Sequence, residues 1–329
     1  MQLLVAPTSL QGQVGVLLDP ALRATINRTH GWALYTSAAQ TQYPAVTRDH
    51  TNTSLPSAQD ACILRENEYI ACPKRDGVYL FLADGYVHFP PGDRSTRVGS
   101  YLADSPGKAL PVTALETALF RALLLQDTLL THALVLRWRE QGILVLGDSG
   151  SGKTTLALAA LAAGAQIVSD DRVALRMAGG QLRAHRMRDF LRIRRSTLLD
   201  MALDALPEAV RAITTTAPAV ELAMTTAPQQ FINDTRIDTV VLLSRCPSTR
   251  PAESTIKPAS SAETLAAAMA SSLPYLFAVN TQQLGVDPVS LYGQMLTAKQ
   301  AVHLTTGTRL MARPVEEFSS MIEALGPRQ

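Results

Sequence analysis

Gly147, Asp148, Ser149, Gly150, Ser151, Gly152, Lys153, Thr154 and Thr155 stand in one unbroken run, and two adjacent acids, Asp170 and Asp171, follow it closely. Residues of these types at this spacing suit phosphate chemistry. Gly147, Gly152, Lys153 and Thr154 satisfy GxxxxGK[ST], a loop whose glycines let backbone amides turn inward around phosphate oxygens. The lysine of such a loop reaches the β and γ phosphates, and its hydroxyl is a ligand for Mg²⁺. The run lies between the apolar ILVL and the Ala/Leu-rich TLALAALA, so it should leave a strand and open a helix whose positive end adds to anion binding. The nine residues are the expected nucleotide-binding set, with Lys153 also acting on the transferring phosphate and Thr154 as a metal ligand.

The acid pair sits at the end of QIVSDD, which reads as the next strand. In a parallel α/β sheet the carboxyl ends of neighbouring strands meet at the ligand crevice, so an adjacent strand would deliver both acids beside the γ-phosphate. One carboxylate would hold Mg²⁺ and the other would take a proton from an attacking hydroxyl, a role worth about 10² to 10⁴ in rate. With reference pKa values of about 3.9, both are expected to be ionised at neutral pH. Two such anions repel unless a cation or donors separate their roles, which is a reason to expect metal here.

The spacing H-x14-GDSGxGK[ST]-x9-G-x5-DD, carried by His132, Gly147 to Thr154, Gly164 and Asp170-Asp171, resembles the catalytic core of HPr kinase/phosphorylase and its relatives, including the kinase-like proteins of lasso-peptide biosynthesis. The resemblance implies ATP and Mg²⁺, Asp170 as the base that activates a serine hydroxyl, Asp171 as a metal ligand or its neighbour, and His132 beside the site. It covers residues 130 to 176. Thr154-Thr155 stands where the bacterial HPr kinases show Ser-Glu, and Gly164-Ala165-Gln166 where they show Gly-His-Arg. Their later signature, tied to phosphorolysis, has no counterpart, so the expected acceptor is another peptide or small protein rather than HPr.

Arg192 is the last candidate. In DFLRIRRS a strand sends Phe190, Arg192 and Arg194 to one face and Leu191, Ile193 and Arg195 to the other, so Arg192 and Arg194 would point together at a phosphate or an acidic substrate.

The elements that must position these residues follow from pattern. HALVLRW and GILVL read as strands meeting across REQG, Lys153 to Ala163 as a helix stopped by Gly164, and strand, loop, helix, strand as a βαβ unit. The expected fold is a P-loop kinase core of α/β class, a mixed and largely parallel sheet, preceded by a smaller β-rich domain. ADSPGKALP, residues 103 to 111, is the expected linker, giving a β-rich module over 1–105 and a catalytic domain over 106–329. Residues 196 to 230 read as a helix around LLDMALDALPEAVRAI and then a loop that closes over the acceptor. IDTVVLLSR returns as a strand, Ser260 with Glu263 makes a capping box, and Val315, Phe318, Met321, Ile322 and Leu325 share one face of a final helix.

At 329 residues and 47% hydrophobic content the chain can bury a sizeable core, and its net charge of +2 argues against a general nucleic-acid or membrane surface. The three cysteines, Cys62, Cys72 and Cys246, form no CxxC or zinc spacing, and no basic leader opens the sequence, so a reducing, cytoplasmic setting is expected. Homo-oligomerisation through the β-rich module is compatible with the pattern. Two rival readings share the phosphate loop. A transporter-type ATPase should carry LSGGQ and a strand ending in Asp-Glu; GGQ at Gly179 to Gln181 lacks Leu-Ser, and VVLLSR ends without acids. A regulatory module would bind nucleotide without turning it over. NKxD, the guanine-reading tetrapeptide, is missing.

Overall fold

The computed structural model describes residues 33–36, 64–65, 69–74, 77–82, 85–89, 97–103 and 123–325, apart from 125–126, 188–189, 202–205, 207, 212–218, 224–227, 247–252, 273–285 and 298. The chain divides into two compact units, Met1–Leu129 with Leu273–Pro288, and Leu130–Ser272 with Val289–Gln329. The first contains a six-stranded sheet of β1 (Ala33–Thr36), β2 (Leu64–Arg65), β3 (Tyr69–Lys74), β4 (Gly77–Leu82), β5 (Gly85–Phe89) and β6 (Arg97–Ala103), in the order β1-β6-β5-β4-β3-β2. The expected linker beyond Ala103, and most of the helix expected after it, lie outside the described residues.

The second unit is built around the phosphate loop. β7 (Thr128–His132) leads into β8 (Leu134–Trp138), which turns through Arg139-Glu140 into β9 (Gln141–Leu146). Two residues can join only antiparallel neighbours, and Arg139 takes a positive φ of 54° to make the turn. After the loop come α1 (Lys153–Ala162), β10 (Gln166–Ser169), β11 (Arg172–Ala178), β12 (Gln181–Arg186), β13 (Phe190–Arg194), α2 (Arg195–Asp200), α3 (Glu208–Arg211), β14 (Ala219–Ala223), β15 (Asp234–Arg236), β16 (Thr239–Arg245) and β17 (Thr255–Pro258). The unit continues with α4 (Ser261–Ala270), α5 (Pro288–Leu296), β18 (Gln300–Thr306), α6 (Arg309–Ala312) and α7 (Pro314–Leu325).

Its principal sheet runs β10-β8-β9-β16-β18-β17. β9, β16 and β18 pair in parallel at the centre, β8 and β17 run the opposite way, and β10, antiparallel to β8, runs in the same direction as β9. The sheet is therefore mixed, as expected, with parallel pairing at its centre, and the short β8–β9 hairpin inserts an antiparallel strand between β9 and β10. Other sheets are β15-β12-β11-β7 and the pair β13-β14. β14 occupies a segment expected to be loop: AVELA is strand because it pairs with β13, a tertiary contact that its Thr/Pro-rich flanks do not announce.

α1 is held by its ends. Gly152 caps its start at φ 100°, and Gly164 at φ 90° closes it with a Schellman pair, Ala165 N–H to Ala160 O at 2.8 Å and Gly164 N–H to Leu161 O at 3.0 Å. Leu156 through Leu161 are all buried, so this helix is enclosed rather than laid on a surface. Leu134, Leu136, Ile143 and Val145 from the sheet, Leu191 and Ile193 from β13, and Phe318, Met321, Ile322 and Leu325 from α7 pack in the same cluster. Trp138 meets Phe318 edge to face with ring centroids 5.4 Å apart. Val315 is 37% exposed because it stands at the edge of the α7 stripe, and Pro314 takes the buried place. The Ser260–Glu263 capping box forms in full at the start of α4.

A buried hydroxyl network ties the end of β7 to α4 and α5. Tyr292, fully buried, bonds Thr131 Oγ1 at 2.7 Å and also Ser272 Oγ, whose hydroxyl donates to Leu130 O at 3.0 Å. Burial pushes the Tyr292 phenol up to about 12, so it serves only as a neutral hydrogen-bonding group. Tyr292→Phe removes both bonds and leaves Thr131 without this partner. A loss of about 1–3 kcal/mol is expected, read as a lower denaturant midpoint at unchanged slope.

Candidate functional site

The loop Gly147–Gly152 leaves the end of β9. Asp170 and Asp171 leave the end of β10, and His132 precedes the start of β8. β8 runs antiparallel to both β9 and β10, so all three points fall on one edge of the sheet. β10 is separated from β9 by β8, so the acids reach the same edge from two strand positions away rather than from an adjacent strand.

Gly150 and Gly152 take φ of 85° and 100°, conformations open to glycine and costly to other residues. Gly147 is required by space, since a Cβ there would stand 2.7 Å from both Leu243 O and Ser151 Oγ. Asp148, Ser149 and Gly150 are exposed at the loop tip, whereas Ser151, Thr154 and Thr155 are partly buried. Lys153, only 7% exposed, curls back so that its ammonium donates to Gly147 O at 2.6 Å and Asp148 O at 3.1 Å. Burial lowers its proton affinity, and Asp171, Asp148 and Asp170 raise it again.

The two acids differ. Asp171 is partly exposed, 3.1 Å from His132 Nδ1 and 3.8 Å from Arg172. Burial pushes the His132 imidazole below its usual value, Asp171 opposing and Lys153 and Arg172 adding to the fall. The neutral ring donates its Nδ1–H to Asp171, which fixes the tautomer and leaves Nε2 as the acceptor. The backbone secures the pair, with Ala133 N–H bonded to Asp171 O at 3.0 Å and His132 N–H to Ser271 O at 3.1 Å.

Asp170 is 7% exposed. Its Oδ2 accepts from the Arg192 backbone amide at 3.3 Å, and its Oδ1 is buried with no hydrogen-bond partner among the described residues. Burial first and Asp171 second push the carboxyl up to about 7, against the pull of the Arg192 amide, its own amide and Lys153. Asp170 thus departs from the ordinary carboxylate value on which the expectation of two ionised acids rested, because burial disfavours its charge.

That shift has a consequence for stability. A folded-state pKa above the ordinary 3.8 favours the fold below that pH, and the advantage is lost as pH rises through about 7. Asp170→Asn, neutral throughout, escapes the loss. Its melting temperature relative to the parent should climb by about 4 °C or more between pH 5 and pH 8. A constant difference would mean that Asp170 titrates at its ordinary value.

Arg192 reaches the site through its main chain, while its side chain is exposed on β13. The strand alternates, with Arg192 and Arg194 exposed and Leu191 and Ile193 buried, and Arg195 begins α2 instead of continuing the strand. Thr131, Ser271, Ser272 and Tyr292, which hold the strand end bearing His132, carried no signal in sequence: their types are common and their partners lie far along the chain.

Among the described residues no cluster of three or more His, Cys, Asp or Glu could hold a metal ion. Mg²⁺ fits what is present, because it is usually bound by one or two carboxylates plus substrate phosphates, and the oxygen donors here are Asp171, the adjacent Asp170 with its Oδ1 unpartnered among the described residues, and the Thr154 hydroxyl in the first turn of α1. No helix among the described residues is long and apolar enough to cross a membrane.

No protein family matches the chain, and no curated protein matches it. Among solved structures it is similar to the Hpr(Ser) kinase/phosphatase from Coxiella burnetii, at 17% identity over 40% of this chain and 77% of that one, with a TM-score of 0.26. A likeness at that score carries no structural argument, and the chemistry has to stand on the site itself.

Proposed function

We propose that the protein is an ATP- and Mg²⁺-dependent phosphotransferase that moves the γ-phosphoryl group to a hydroxyl, with serine of a peptide or small protein as the acceptor. The observation that carries this reading is Asp170, a buried carboxyl with one unpartnered oxygen and a proton affinity raised to about 7, on the same sheet edge as a complete phosphate loop. A general base works best when its pKa is near the operating pH.

The acceptor oxygen attacks the γ-phosphorus, the bond to the β–γ bridging oxygen breaks, and the hydroxyl proton passes to Asp170 Oδ1. The Arg192 amide holds Oδ2 and so aims the carboxyl. Lys153 and the loop amides neutralise charge on the phosphates, a contribution made before the reaction begins and therefore without reorganisation. Thr154 and Asp171 would hold Mg²⁺, which when bound supplies positive charge against the phosphate oxygens. His132 orients Asp171 through Nδ1–H. Residues 1–105 as a β-rich module for substrate docking or oligomerisation, and 106–329 as the catalytic domain, belong to the same proposal.

The hydrolase reading differs only in the nucleophile. ADP release is the deciding assay: a kinase releases ADP in proportion to an added hydroxyl peptide, a hydrolase releases it at the same rate without one, and a regulatory module binds nucleotide and releases none. Acceptor-independent ADP release would overturn the proposal.

A further inference from the structure

Arg192 and Arg194 project from the exposed face of β13, and Arg195 follows at the start of α2, also exposed. Arginines of the β15-β12-β11-β7 sheet have acids: Arg183 pairs with Asp234, and Arg236 with Asp238 at 2.7 Å. Among the described residues, none pairs with the guanidinium groups of Arg192, Arg194 or Arg195. On α2, Leu199 is 67% exposed, an apolar neighbour to the basic strip. The strip is joined to the candidate base, because the Arg192 amide is the donor to Asp170.

From this juxtaposition we infer that β13 and the start of α2 form the docking surface for the acceptor, and that the acceptor is an acidic peptide segment with carboxylates close to its hydroxyl. The inference rests on the kinase reading and adds the substrate class. Arg192 and Arg194, two residues apart on one strand face, are separated by about 7 Å, the spacing of alternate side chains in an extended peptide. The acceptor therefore carries Asp or Glu at alternate positions near the serine. Guanidinium forks suit these carboxylates, and the exposure of the strip makes the attraction salt-sensitive. General nucleic-acid binding is a poorer fit, since the chain as a whole is nearly neutral at +2.

The test uses the full chain and three synthetic peptides that share one serine, flanked on both sides at alternate positions by Asp, by Asn or by Lys. Anisotropy reads binding, and phosphopeptide formation reads transfer. The expected result is kcat/KM about tenfold or more higher for the Asp peptide than for the Asn peptide, narrowing as salt rises. Arg194→Glu with Arg195→Glu should reverse the order in favour of the Lys peptide, with the KM for ATP unchanged. Equal use of the three peptides by the parent, with transfer intact, overturns the surface and leaves the kinase standing. Selective binding of the Asp peptide without any transfer overturns the kinase and leaves the surface standing. A risen KM for ATP in the variant would assign the arginines to the nucleotide, and tighter binding of a single-stranded oligonucleotide than of the Asp peptide would assign them to nucleic acid; either overturns the inference, as does binding of no peptide.

Discussion

Asp170→Asn is expected to lower phosphoryl transfer by about 10²-fold to 10⁴-fold while the dissociation constant for ATP changes little. The substitution keeps the size and shape of the side chain, so the amide oxygen can still accept from Arg192 N–H at the 3.3 Å position. What it removes is the ability to take a proton. Asp171→Asn should behave differently, because that side chain accepts the His132 Nδ1–H and lies beside Arg172. Its loss should weaken the Mg²⁺ dependence as well as the rate. Measuring kcat at saturating ATP, with ATP affinity by calorimetry, separates the two. An Asp170→Asn protein that turns over at the parent rate would remove the base from the mechanism, whatever the fate of Asp171.

Gly142→Ala should be the most damaging single-methyl change in the described core. A Cβ at Gly142 would stand 1.7 Å from Arg236 O and 2.9 Å from Arg236 C. These are backbone atoms, and the backbone there is pinned. Gly142 N–H donates to Asp238 Oδ2 at 3.0 Å, and Asp238 N–H returns a bond to Gly142 O at 2.8 Å. Overpacking commonly costs about 1–3 kcal/mol when side chains can move, so a backbone clash should cost about 3 kcal/mol or more. Because β9 leads directly into Gly147, nucleotide affinity should fall with stability. Gly293→Ala is the control: nothing among the described residues lies within 4 Å of the added methyl, and the residue is inside α5, so a neutral or slightly stabilising result is expected. Equal unfolding midpoints for the two variants would contradict the packing described around Gly142.

Much of the local structure was written in local residues. Gly164 announced the left-handed stop of α1, the Ser260–Glu263 spacing announced a capping box, and the apolar spacing of α7 announced its buried face. Each of these signals acts within one turn or one loop. The position of β10 was not written that way. Nothing within QIVS says whether it lies beside β9 or beyond β8; that is settled by which strand the hairpin places in between. The role of Arg192 was hidden for a related reason. Side-chain type suggested a guanidinium at the site, while the actual contact to Asp170 comes from an amide that any residue except proline would supply. The raised proton affinity of Asp170 likewise depends on burial, which only the assembled sheets create.

The central claim is that this sheet edge moves a phosphoryl group to a hydroxyl rather than to water. A single-turnover experiment with γ-labelled ATP, excess protein and a serine peptide of the acidic class, quenched in time and resolved into labelled peptide and labelled free phosphate, tests it most directly. The account predicts that label appears on the peptide hydroxyl from the earliest time points, with free phosphate trailing, and that Asp170→Asn suppresses the peptide signal. Label that passes wholly to free phosphate at a rate indifferent to the peptide would contradict it.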